Sequence, residues 1–162
     1  MPLPAAAFMP GLGRPTPHLP SALPPHCGYD PETLWRRLFC HGIDLFNQGF
    51  WWEAHEAWEA PWRALPRGSS AARVLRGLIM LSAGHLNWCQ GQMRGRSRLF
   101  EHAHSQWEAA AGLEDPLPHW LALSAPALQR RYGPWCRQVP RQSNREELLR
   151  HMPPLHLEAE RP

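Results

Sequence analysis

Between Trp51 and Trp62 the chain sets Glu53, His55, Glu56 and Glu59 among four tryptophans, all within twelve residues. On a helix, side chains at i and i+4 are stacked neighbours, so His55 and Glu59 can clasp one cation from a single face. His85, at the centre of the apolar face of a second predicted helix, is the natural donor from across a core, and His41 on a third helix is a further candidate. Helical bundles build metal sites from such His and Glu side chains on facing helices. Neutral imidazole and carboxylate suit Zn, Mn or Fe about equally, so the donor set does not choose the divalent ion. Glu56, beside the pair, is positioned to act as general base on a metal-held water.

Other polar residues carry less. His55-Glu56-Ala57-Trp58-Glu59 has the form of the H-E-x-x-H helix with its second histidine replaced by glutamate. Glu101-His102-Ala103-His104 holds a single E-x-x-H, whereas di-iron bundles need two. Arg94, Arg96 and Arg98, grouped with Arg73 and Arg76, form a basic patch open to phosphate, but Glu101, Glu108 and Glu114 lie nearby and make a solvated, salt-bridged face. Cys40 precedes His41 directly, and adjacent helical residues point apart, so no Cys–His nucleophile is legible. On the wheel Trp51, Trp58 and Trp62 group together with His55 and Glu59 at their edge, while Glu53 points away onto a solvated face. The same histidines and acids also fit a purely structural cluster, since a buried histidine must find a hydrogen-bond partner.

The elements that would position these groups are helices. Val and Ile together number four among 162 residues, while Leu, Ala and Trp abound, so sheet is disfavoured. Eight prolines between Pro2 and Pro25 predict a disordered or polyproline-like arm over residues 1–29. Asp30-Pro31-Glu32 opens a first helix that Gly49 closes. A second starts near Trp51 and is bent or stopped by Pro61; a third spans about Ala71–Gln90; a fourth spans about Met93–Ala111. Pro118–Tyr132 holds one or two short helices (His119–Ser124 and Ala127–Tyr132). From Gly133 a loosely attached tail is expected, with a short helix capped by Asn144. The expected organisation is an arm at 1–29, an all-α bundle of four main helices with short C-terminal pieces at 30–132, and a tail at 133–162.

Composition narrows the partners. The formal charge of +3 does not require nucleic acid. All seventeen basic residues are Arg. Cys27, Cys40, Cys89 and Cys136 make no C-x-x-C pair and fit reduced thiols. No basic residue precedes Arg14, and no window approaches the ~18 apolar residues of a membrane span. These features predict a cytoplasmic chain with no membrane partner, open to a protein partner or to homo-oligomerisation.

Phe46-Asn47-x-Gly49-x-x-x-Glu53-Ala54-His55-Glu56-x-x-Glu59-x-x-Trp62-Arg63 resembles the signature of a small helical prokaryotic family. It is catalogued as a domain of unknown function (number 309), some members of which are labelled predicted metal-dependent hydrolase. Arg76-Gly77-Leu78-Ile79 with His85, and Gly91-Gln92-x-x-Gly95-x-x-Arg98-Leu99, resemble its next two blocks. The likeness covers roughly Leu34 to Trp107. It implies an all-α bundle and places Asn47, Glu53, His55, Glu56, Glu59 and Trp62 in the family's motif. Pro61 and Arg96 depart from the pattern, and nothing after Glu114 follows it. Two functions are therefore expected: a metal-dependent hydrolase-like site with His55, Glu59 and His85 as ligands and Glu56 as base, or a non-enzymatic helical interaction module held together by the same cluster.

Overall fold

The computed structural model describes residues 30–138 and 144–157. The Pro-rich arm expected at 1–29 lies outside them. Six helices occur among the described residues: α1 (Pro31–Asn47), α2 (Trp51–Ala64), α3 (Ser70–Cys89), α4 (Met93–Ala111), α5 (Ala125–Gln138) and α6 (Arg145–His151). The chain is all-α, as its poverty in β-branched residues predicts. Packing runs in chain order, with α1 on α2, α2 on α3, α3 on α4 and α5 on α4.

The Asp30 carboxylate caps α1 by accepting from the Thr33 amide at 3.0 Å, with Pro31 in the first turn. Gly49, at φ +77°, takes the left-handed conformation that turns α1 into α2 across three residues. The Ser69 hydroxyl caps α3, accepting from the Ala72 amide at 3.2 Å.

Two helical hairpins, α1–α2 and α3–α4, close through the same device. The Trp58 indole N–H donates to the Phe39 carbonyl at 3.2 Å and lies against Gly42. The Trp107 indole N–H donates to the Val74 carbonyl, also at 3.2 Å, and lies against Gly77. In both, a fully buried indole occupies the space a side chain would take, and its one polar atom is paired with backbone.

Four local expectations differ from what forms. Pro61 does not stop α2, which continues to Ala64 with the proline buried; packing outweighs the single hydrogen bond that a mid-helix proline removes. Residues 119–124 make a turn and irregular chain rather than a helix, yet bury Trp120, Leu121 and Leu123, with Trp120 edge-on to Phe39 at 6.0 Å. α5 is one helix passing through Pro134. Residues 144–157 are not loosely attached: Leu148, Met152 and Leu155 are buried. The Asn47 side chain both donates to the Leu155 carbonyl at 2.8 Å and accepts from the Leu155 amide at 2.7 Å. Arg145 donates to the carbonyls of Gln48 and Gly49 and lies over the Phe50 ring. The Asn144 cap forms as expected, accepting from the Glu147 amide.

Candidate functional site

The motif helix is turned relative to the wheel drawn from its tryptophans. Its buried residues are Trp51, Glu53, Ala54, Ala57, Trp58 and Pro61, a face centred on the small residues and rotated by roughly 80° from the Trp51–Trp62 side at about 100° per residue. Alanines mark where neighbouring helices approach most closely. Trp51 and Trp58 are buried within that face, whereas Trp52 and Trp62 sit half-buried at its margins. Glu53, expected on a solvated face, is consequently inside, at 3% exposure.

The same rotation carries His55, Glu56 and Glu59 outward. His55 stacks on Trp52, ring centroids 5.6 Å apart and 13° from parallel. Its Nδ1 lies 3.4 Å from Glu56 and its Nε2 lies 4.0 Å from Glu59, whose other carboxylate oxygen pairs with Arg63 one turn on. His55, Glu56, Glu59 and Arg63 thus form a polar strip along one helix, an imidazole and two carboxylates followed by a guanidinium.

His85 is elsewhere. It is fully buried, stacked on Trp51 at 5.1 Å and met edge-on by Phe46 and Phe100. Its Nδ1 lies 2.8 Å from the Leu81 carbonyl, which fixes that nitrogen as the N–H donor, and its Nε2 accepts from the Trp135 indole N–H at 3.3 Å. Both ring nitrogens are therefore committed inside the core. Burial pulls its pKa down to about 4, so the ring is neutral near pH 7. His41 is buried in α1, its pKa lowered chiefly by burial.

The metal-site expectation is corrected by this geometry. Among the described residues no group of three or more His, Cys, Asp or Glu side chains is arranged to hold a metal ion. His55 and Glu59 face outward on α2 while His85 is sealed among aromatics on α3, so the intended ligands do not converge. The divalent cofactor (Zn, Mn or Fe) and the metal-dependent hydrolase reading fall with them, and Glu56 loses the metal-held water on which it was to act. Glu101 and His104 likewise gain no further donors.

The remaining motif residues have packing roles. Asn47 binds the Leu155 backbone, and Trp62 lies under the Arg76 guanidinium, 5.9 Å from its ring centre. The basic patch drawn from the sequence is two features. Arg73 and Arg76 stand in the first turns of α3, whereas Arg94, Arg96 and Arg98 stand in the first turns of α4. The two helices are joined by a tight turn, so their starts lie at opposite ends of a hairpin about 30 Å long. Arg96 is buried with its guanidinium over Trp88 at 5.0 Å. At the other end, Arg63 and Arg67 join Arg73 and Arg76 around one groove. Arg67 stands in the connection between α2 and α3, and the pairs 63/67 and 73/76 flanking the Gly68 turn are the sequence signal for this cluster.

A four-helix core with a strapped C-terminal segment, an internal aromatic–histidine cluster and a charged outer strip on α2 defines an all-α bundle protein. Residues 39–99 match the model of the family described as Domain of unknown function (DUF309). That span runs from α1 into the first turns of α4 and contains the motif residues from Phe46 to Leu99 on which the resemblance rests. No curated protein and no solved structure matches the chain. Among the described residues no helix is long and apolar enough to cross a membrane.

Proposed function

We propose that this chain is a non-enzymatic helical interaction module in which the buried histidine cluster is structural and the outer strip of α2 meets a protein partner. The observation that carries this reading is the double commitment of His85, whose ring nitrogens are held by Leu81 and Trp135 in a fully buried site. That leaves His55, Glu56 and Glu59 as a surface feature of one helix. A half-buried tryptophan stacked on His55 and flanked by charges of both signs matches the make-up of protein interfaces, where aromatic anchors sit beside polar rims. The free thiols of Cys40, Cys89 and Cys136 support a cytoplasmic location.

The test compares affinity capture by the wild-type chain and by Glu56→Arg, a change on the partly exposed strip. The expected outcome is a stoichiometric partner, or a second copy of the chain, held by the wild type and lost by the variant at unchanged melting temperature. Equal retention by both proteins, or none by either, would overturn the reading.

A further inference from the structure

Beyond that reading, we propose that the groove where α2 ends and α3 begins binds a small organic phosphate carrying two or more negative charges. Trp62, Arg63, Arg67, Arg73, Arg76 and Gln106 line a cavity of about 700 Å³, within the ~300–1,000 Å³ span of small-molecule sites. No carboxylate is among the residues lining it.

Each arginine is placed by a different contact. Arg63 is held by Glu59 across one helical turn. The Arg73 Nε donates to the Gly68 carbonyl at 3.3 Å, which turns its two outer nitrogens toward other acceptors. Arg76 rests on the Trp62 ring rather than on an acid, a contact that orients the guanidinium without neutralising it. Arg67 stands exposed in the turn between the helices. Gln106, reaching in from α4, adds a neutral amide suited to a hydroxyl or ester oxygen.

Guanidinium forks match phosphate oxygens bidentately and stay charged at any physiological pH. A phosphomonoester carries about −1.5 to −2 charges at pH 7. One of the four arginines is already paired with Glu59, so the charge left over suits a diphosphate better than a single carboxylate. A nucleic-acid strand fits less well, because it needs cations along a track and Arg94 and Arg98 lie at the far end of the α3–α4 hairpin.

The test is calorimetric titration of the full chain with inorganic pyrophosphate at about 50 mM salt, beside a single-stranded oligonucleotide. One-to-one binding of pyrophosphate is expected, weakened at least tenfold by Arg67→Glu and by Arg76→Ala, and unchanged in Arg98→Ala. Arg67 is exposed, so its replacement does not threaten the fold, and Arg76→Lys keeps the charge while removing the fork. Tighter binding of the oligonucleotide, equal loss in Arg98→Ala, or no pyrophosphate binding would overturn the proposal. None of these outcomes depends on the Glu56 strip, so the two readings fail separately.

Discussion

Protonating His85 would place a charge among Phe46, Trp51 and Phe100 and break its acceptor bond from Trp135. Its pKa is about 4 in the folded chain and about 6.5 in an unfolded one. Between those values the unfolded chain binds the extra proton, so folding stability must fall as pH drops from about 6.5 to about 4. The difference corresponds to roughly 3 kcal/mol at about 1.4 kcal/mol per unit, and the lowered pKa of His41 acts in the same direction. Urea midpoints measured at pH 7.5 and 4.5 should show this loss in the wild type, with a smaller one in His85→Gln. Equal pH dependence in the two proteins would remove His85 as the cause. His85 was legible in the sequence as the centre of an apolar face. Its partners were not, because Leu81 is a backbone contact and Trp135 lies fifty positions away.

Helix by helix, the elements are most legible in the sequence where end signals and apolar periodicity agree. The bounds of α4 and the place of His85 on the buried face of α3 stand as expected. On the motif helix Trp51 and Trp58 are buried as their size suggests, but Trp62 draws the wheel to one side, while Ala54, Ala57 and Pro61 extend the packing face to the other and take Glu53 with them. The glycines opposite Trp58 and Trp107 show the same economy of space from the other side. A Cβ at Gly42 or Gly77 would lie 2.2 Å from an indole nitrogen, against a ring that cannot give. Alanine gains about 1 kcal/mol of helix propensity, but overpacking a core costs about 1–3 kcal/mol or more, so the clash wins. Gly42→Ala and Gly77→Ala should each lower the melting temperature. Gly95→Ala should not, because the atom it meets, Asn87 Nδ2, is the free end of a flexible side chain. Thermal melts of the three variants check the contrast, and a stabilising Gly77→Ala would refute the lock.

Across the whole molecule, the bundle depends on the segment after residue 143. Leu148, Met152 and Leu155 are each buried, and such side chains contribute about 1.5–3 kcal/mol apiece in domains stable by only about 5–15 kcal/mol. A chain ending at 143 should keep its helical circular dichroism, melt lower by roughly 10 °C or more, and bind a dye that reports exposed apolar surface. An unchanged melt would return this segment to the loose tail that its proline-rich sequence suggested. The expectation failed for a physical reason: the segment is anchored by Asn47 and by backbone carbonyls at the α1–α2 turn, partners that no local pattern reveals.

The Asn47–Leu155 clasp also orders events in time. It joins residues 108 apart in sequence, whereas each Gly–Trp lock joins neighbouring helices of one hairpin. Contacts between near neighbours close at little entropic cost, and distant ones are rewarded only after the intervening chain has collapsed. The hairpins therefore assemble first and the strap is laid across them last. Joined last, the strap is the unit expected to open first while the aromatic interior stays shut.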